Sequence, residues 1–269
     1  MQNIGFKELH KAIQAARIGR EILLGYYGRL KHIEEKFQAG LVSEADKESE
    51  KAIVGFLQKE FPETTFLAEE AYHDYDLSSD QGRWIIDPLD GTTNYVHQFP
   101  IFCISIGLEI KSEIVLAVID VPMLNETYTA IKGKGAFLNG KPLRTSETKL
   151  IKDSLLATGF IADHEHILQE QLRIFSEIVR KCRAVRRAGA AAYDLCLVAK
   201  GVFDGYWERN LKPWDSAAGL LLVQEAGGKV STYRGEKYTP FKNSMVASNL
   251  HLHEELLQMS SKLCDNNTN

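Results

Sequence analysis

Acidic side chains stand at the ends of apolar runs at Asp46, at Glu69-Glu70, at Asp87 with Asp90, and at Asp215. The densest of these stretches is Trp84-Ile-Ile-Asp87-Pro-Leu-Asp90-Gly-Thr92-Thr-Asn-Tyr95. Three apolar residues lead into Asp87, and a residue before proline is pushed out of the helical region, so Asp87 is expected to end an extended strand. Leu89 and Asp90 then turn. Gly91 permits a backbone angle that other residues avoid, and Thr92, Thr93 and Asn94 are each able to open a helix. Two aspartates three residues apart on such a turn can point at one spot, along with the bare N–H groups of the helix start. Carboxylates favour hard cations and helix N-termini favour phosphate. Both in one place suggest metal-assisted phosphate chemistry, whereas a plain β-turn needs one Asp or Gly and not this whole set. Taken singly, the other acids have ordinary readings: a cap or surface residue at Asp46, a solvated turn at Glu69-Glu70, and a favourable helix-start charge at Asp215.

These side chains need elements to hold them. Phe6, Leu9, Ile13, Ala16, Leu23, Leu24 and Tyr27 recur near helical spacing with charges between, so an amphipathic helix is expected there, stopped at Gly28. Lys31 to Gly40 reads as a mobile hairpin or loop. Ser43 with Asp46 resembles a capping box, and the helix it opens should run to about Phe61, where Pro62 ends it. Thr65-Phe-Leu-Ala68 is a short strand that delivers Glu69 and Glu70, and the polar connection Asp74 to Gly82 leads to the aspartate pair. Ile101–Ile110, Ile114–Val121 and Glu126–Ile131 suggest an antiparallel meander, followed by turn signals at Gly133, Gly135, Asn139-Gly140 and Pro142. From Leu155 short strands (155–158, 184–186, 203–207, 229–231, 245–247) alternate with helices (165–181, 190–200, 213–226, 250–263). Residues 1–150 thus read as an α+β domain carrying an antiparallel sheet and most of the acids. Residues 151–265 read as an α/β domain that supplies Asp215, and 266–269 as a tail.

The whole chain narrows the classes. Its 269 residues leave room for a packed core, and 44% apolar with 25% charged residues is ordinary for a globular protein. A net charge of -4 gives no electrostatic reason to expect a nucleic-acid partner. No apolar run approaches the roughly 18 residues of a membrane span. Met1 to Phe6 lack the basic and apolar regions of a signal peptide. Cys103, Cys182, Cys196 and Cys264 show no close pairing, which argues against structural zinc and for a reducing cytoplasm.

The aspartate-rich stretch from Trp84 to Tyr95 resembles the first signature of the inositol monophosphatase family. Trp214-Asp215-Ser-Ala-Ala-Gly219 with Glu225-Ala-Gly227-Gly228 resembles its second. Leu67-Ala-Glu69-Glu70, Gly135-Ala-Phe-Leu-Asn139-Gly140 and Arg187-Ala-Gly189-Ala-Ala191 match further family segments, so the resemblance covers nearly the whole chain. It implies a layered αβαβα sandwich and Mg²⁺-dependent hydrolysis of a phosphate monoester, with two or three ions and Mn²⁺ as a substitute. By resemblance, one ion is held by Glu69, Asp87 and the carbonyl of Leu89, and a second by Asp87, Asp90 and Asp215. A weaker third uses Glu69 and waters, with Lys36 nearby and Glu70 in an outer part. Gly91 and Thr92 give N–H groups to the phosphate. Thr92 and Glu69 orient and help deprotonate the attacking water, and Asp46 supports Thr92. Asp90, Gly189, Ala191 and Glu208 line the alcohol side. A homodimer and inhibition by lithium are implied as well. Oxygen-only ligands suit Mg²⁺ or Mn²⁺ better than Zn²⁺, and an ion that lowers the pKa of its water makes a histidine base unnecessary. His97, although close in sequence, therefore needs no catalytic role.

There are departures. Glu44 stands where family members often carry a small residue, and the Lys36 region is one residue shorter than in animal relatives. Arg209-Asn-Leu-Lys212-Pro213 is unusually basic. Glu208 suits a polyol hydroxyl, which favours inositol-1-phosphate as substrate. Arg209 and Lys212 motivate the rivals: NADP(H) 2′-phosphate, fructose 1,6-bisphosphate or a 3′-phosphoadenosine nucleotide. A non-catalytic binding protein on the same fold would be expected to have lost part of the acid set, yet Glu69, Asp87, Asp90, Asp215 and Glu208 are all present.

Overall fold

The computed structural model describes residues 5–36, 40–71, 82–160 and 165–262. The chain opens with α1 (Phe6–Tyr26), then a hairpin of β1 (Ile33–Lys36) and β2 (Gly40–Ser43), then α2 (Glu44–Glu60). Within the stretch expected as a hairpin or loop, residues 33–36 pair antiparallel with 40–43, and residues 37–39 lie outside the described residues. Ser43 and Asp46 form the expected reciprocal cap. The Ala45 N–H donates to Ser43 Oγ at 3.2 Å and the Ser43 N–H to Asp46 Oδ2 at 2.8 Å.

A seven-stranded sheet follows: β3 (Thr65–Ala68), β4 (Arg83–Asp90), the short helix α3 (Thr92–Val96), then β5 (Cys103–Ile110), β6 (Glu113–Val121), β7 (Glu126–Ile131), β8 (Ala136–Leu138) and β9 (Lys141–Pro142). Only β3–β4 is parallel, and the rest is the expected meander. Next come β10 (Leu155–Thr158), α4 (Glu165–Val179), β11 (Ala184–Arg186), α5 (Ala191–Ala199), β12 (Gly205–Arg209), α6 (Pro213–Glu225), β13 (Lys229–Ser231), β14 (Ser244–Ser248) and α7 (His253–Ser261). The second sheet has the order β11-β10-β12-β14-β13 and is mixed. β10 runs parallel to β11 and β12, while β14 runs antiparallel to β12 and β13. The half is α/β as expected, and β13 and β14, the two strands that follow each other directly in the sequence, form an antiparallel pair. No helix joins that pair, so the chain turns back as an antiparallel neighbour.

Side-chain alternation along the strands builds the layers. In β4, Trp84 and Ile86 pack with Ala12 and Leu23 of α1 and Ile53 and Leu57 of α2, while Ile85 faces Leu195 of α5 and Leu221 of α6. In the second sheet Ala157, Tyr206 and Ala247 face that same middle core, while Leu156, Trp207 and Val246 meet Ile174 of α4 and Leu256 of α7. Three cores separate five layers, α–β–α–β–α. The middle core draws on both halves of the chain. Helix α6, covered on both sides, is buried almost throughout, as a helix with no solvent face must be. Its fit is close: a Cβ on Gly219 would stand 2.4 Å from Leu195 Cδ1. Among the described residues no helix is long and apolar enough to cross a membrane.

Two boundaries differ in ways that matter for the site. Asp87 does not end its strand, because β4 continues through Pro88 to Asp90. Asp87 pairs with Ser105 and Asp90 with Cys103, so three steps on β4 match two on β5, which is a β-bulge. Pro88 has no N–H for the ladder, and the bulge spares it one. In a regular strand Asp87 and Asp90 would point to opposite faces. The extra residue turns both toward the middle helix layer. The other shift is at β12, which begins and ends two residues later than 203–207, so that Glu208 and Arg209 lie within the strand.

Candidate active site

Asp87 and Asp90 come from the bulge, Glu69 from the end of β3, and Asp215 from the first turn of α6. Hydrogen bonds hold three of them in place. Asp87 Oδ1 accepts the Leu89 N–H at 3.0 Å and Asp215 Oδ2 the Lys212 N–H at 2.7 Å. Asp90 Oδ2 accepts the Ala192 N–H at 2.8 Å from the start of α5, and the Cys103 thiol at 3.5 Å. Burial raises the pKa of Asp87 well above the carboxylate range, and the charges of Glu69, Asp90 and Asp215 add to it. Burial also lifts Asp90 to about 6 against its backbone donors. Asp215, which keeps some exposed surface, is raised by burial and then by Asp90 and Glu69. Four acids delivered by two strands and a helix thus feel one another's charge.

Helix α2 positions the surrounding loops through a polar stripe on its buried face. Asp46 is fully buried, and its Oδ1 accepts the Thr92 hydroxyl at 3.0 Å. That hydroxyl also stands 3.1 Å from the Leu89 carbonyl, and it has one proton to give. Ser49 Oγ donates to the Pro88 carbonyl at 3.1 Å. Glu50 accepts the Glu70 and Ala71 N–H groups at 2.6 and 2.8 Å, fixing the turn that carries Glu69. Ser49 and Glu50 are not among the residues expected from the sequence. Their one signal is that they continue the buried helical stripe of Asp46, Ile53 and Leu57 with polar groups.

Gly91 caps α3 with φ 94°, a left-handed angle that suits glycine, and its Cα abuts the Ile101 and Gly189 carbonyls. Asn94 ties α3 across to the other side by donating to the Ile101 and Ala188 carbonyls at 2.7 and 2.8 Å. Gly189 and Ala191 therefore lie next to Asp90 at the entry to α5. Glu208 projects from β12, accepts the Tyr206 hydroxyl, and is lifted by burial to about 7 although the Arg187 charge opposes this. Asp194 of α5, not singled out in the sequence, is buried beside this group. Its carboxyl is raised by burial and by the charges of Glu208 and Asp90.

The basic rim expected at Arg209 and Lys212 is corrected in one half. Arg209 is buried, and its guanidinium pairs with Glu170 of α4 instead of facing an open rim. The later register of β12 turns it to that side. The Lys212 side chain is exposed, and its backbone N–H is what fixes Asp215. Arg187, exposed on the loop after β11, is the cation whose charge acts on Glu208. His97 is exposed at the end of α3. Lys36 closes β1, and its side chain lies outside what is described.

The donors fit a hard divalent cation, because the carboxylates of Glu69, Asp87, Asp90 and Asp215 and the Leu89 carbonyl all offer oxygen. Among the described residues no three His, Cys, Asp or Glu side chains stand in closed ligating geometry. A cavity of about 520 Å³ lies elsewhere, between α1 and the β7–β8 strands, lined by Phe6, Ile13, Arg17 and Phe137, and it contains none of these acids. The chemistry is assigned to the acids because a concentration of buried, mutually repelling charge must be compensated, whereas an apolar groove need not be.

The family model of the inositol monophosphatase family matches residues 7–264. A protein of Aquifex aeolicus named fructose-1,6-bisphosphatase/inositol-1-monophosphatase is 39% identical over 265 residues, covering 97% of this chain and 98% of its own. The Nus factor SuhB of Pseudomonas aeruginosa is 40% identical over 256 residues, covering 93% and 94%. The solved structure of the Thermotoga maritima IMPase superposes with a TM-score of 0.88 at 32% identity, covering 96% of this chain and 98% of that one. With its five-layer fold and a match over nearly its whole length, the chain belongs to the inositol monophosphatase family.

Proposed function

We propose that this phosphatase hydrolyses inositol-1-phosphate to inositol and phosphate with Mg²⁺. What supports the reading is that the charges of Glu69, Asp90 and Asp215 all act on Asp87, those of Asp90, Glu69 and Glu208 on Asp215, and that of Asp90 on Glu208. Glu69, Asp87, Asp90, Asp215 and the Leu89 carbonyl would hold the ions. Bound Mg²⁺ supplies the positive charge that an anionic ester requires and acidifies water for attack. The chain's own part is orientation. When the Thr92 hydroxyl donates its one hydrogen bond to Asp46, the Thr92 oxygen is left as an acceptor for the attacking water. Gly91 and Thr92 offer N–H groups to the phosphate. Gly189, Ala191 and Glu208 bound the alcohol, and Glu208 accepts a polyol hydroxyl. Lys36 and Glu70 belong to the periphery of this scheme, with Lys212 as a basic residue at the rim. Inhibition by millimolar lithium, a homodimeric state and a cytoplasmic setting are parts of the same reading.

Replacing Thr92 with valine keeps shape and removes the acceptor. It is expected to lower kcat by about 10²-fold with little change in KM, while serine retains most of the activity. Steady-state kinetics check this, and a valine variant within about threefold of wild type would contradict the role.

The competing substrate is fructose 1,6-bisphosphate, favoured by the name of the Aquifex relative and by Arg187 near Glu208. Burial of Arg209 removes half of the basic rim that motivated it. A Mg²⁺ assay of inositol-1-phosphate, fructose 1,6-bisphosphate, NADP and a 3′-phosphoadenosine nucleotide decides. The highest kcat/KM is expected on inositol-1-phosphate, and a tenfold or greater preference for another ester, about 1.4 kcal/mol, would reject it.

A further inference from the structure

Gly159 directly follows β10, and the parallel register that pairs Thr158 with Trp207 sets it beside Glu208. A Cβ on Gly159 would stand 2.2 Å from both Oε1 and Oε2 of Glu208, and the three nearest atoms it would meet all belong to that carboxylate. The carboxylate therefore lies flat on a bare Cα. From another side the Tyr206 hydroxyl donates to Oε2. Gly159 is not among the residues with positive φ, so its backbone conformation is open to alanine. What glycine provides here is space, and the space is filled by one functional group.

We propose that Gly159 is the positioning residue for Glu208, and that its missing side chain sets the depth at which the carboxylate can meet a hydroxyl of a cyclic polyol. Gly159 thereby determines how strongly the site prefers polyol phosphates over esters whose alcohol has no further hydroxyl. The inference rests on the reading of Glu208 as the polyol contact. The three nearest atoms that a methyl group at 159 would meet are the far end of a flexible side chain and not backbone, so it is the carboxylate that must retreat. Ordinary van der Waals distance is reached after a shift of at least about 1.2 Å. A displacement of that size at a substrate-positioning group costs about 10²-fold.

The test is the ratio of kcat/KM for inositol-1-phosphate to that for phenyl phosphate, in the full-length protein with Mg²⁺. Gly159→Ala is expected to lower this ratio by about 10- to 100-fold. In a Glu208→Ala background, where there is no carboxylate to displace, adding Gly159→Ala changes the ratio by less than about twofold. Glu208→Asp, one methylene shorter, restores part of the ratio when combined with Gly159→Ala. A crystal structure of Gly159→Ala should show the Glu208 carboxylate moved and β10 and β12 in place. Equal losses on both esters with a lowered Tm would make the glycine merely structural and overturn the proposal. So would a ratio shift that persists without Glu208. If Glu208→Ala lowers the ratio and Gly159→Ala does not, only the role of Gly159 falls. If Glu208→Ala leaves the ratio unchanged, the polyol reading falls and takes this inference with it.

Discussion

Asp90→Asn is expected to lower kcat/KM for phosphate-ester hydrolysis by about 10²–10³-fold or more, and at the same time to stabilise the metal-free protein. Both effects have one cause. Asp90 is buried, and its charge and that of Glu69 raise the pKa of both Asp87 and Asp215. The asparagine oxygen can still accept the Ala192 N–H that now donates to Asp90 at 2.8 Å, so the link to α5 survives. What is lost is a negative charge. Repulsion in the empty centre falls, giving a gain of up to about 1–2 kcal/mol. The attraction for the ions falls with it. Kinetics and thermal melting of the same preparation measure the pair of effects. Wild-type activity in the Asp90→Asn enzyme would remove Asp90 from the proposed ligand set.

The second large effect is a pH dependence that divalent ions cancel. In the metal-free folded protein the pKa values of Asp87, Asp90 and Asp215 are raised above their ordinary value, Asp90 to about 6. The folded state therefore holds protons that the unfolded chain has released. Stability from these groups is full below about pH 4 and is lost as pH rises through the folded-state pKa values, between about 4 and 6 for Asp90. His253 works in the opposite sense. Buried between Ser231 and Ser248, it is depressed to about 4, so its contribution is present above its ordinary pKa and lost as pH falls. Comparing melting with and without Mg²⁺ at each pH isolates the carboxylates, because the His253 contribution cancels. Ions need the ionised acids, so binding competes with protons. At a Mg²⁺ concentration of about 100 Kd the stabilisation is about 2.7 kcal/mol, or about 5–10 °C in Tm. That shift is expected at pH 7.5 and should nearly vanish at pH 5. A shift of equal size at both would show that the ion does not bind at these carboxylates.

The aspartate pair was legible because its whole set of turn residues exceeds what a plain turn needs, whereas Asp46, Glu69 and Asp215 each had an ordinary reading alone, and only the resemblance of the longer motifs joined them into one site and implied the layers. The bulge was not legible. Pro88 signalled a break, but whether the strand ends or slips by one residue depends on the pairing with β5, which no local pattern encodes. That slip puts Asp87 and Asp90 on one face. Arg209 misled for a related reason: a charge two residues from a strand end reads as exposed, and only the later register of β12 turns it toward Glu170. Ser49 and Glu50 escaped notice because polar residues on a helix read as solvent-facing until the packing partner of the helix is known. Gly159 carried no signal at all, since its role is the room it leaves for a side chain 49 positions away.

Phosphate release from inositol-1-phosphate after exhaustive chelation, followed by graded return of Mg²⁺, tests the central claim most directly. Turnover should disappear with chelation, return with Mg²⁺ in the wild type, and fail to return at the same concentrations in Asp90→Asn and Asp215→Asn. Turnover that survives chelation in full would contradict a carboxylate-held metal as the source of the activity.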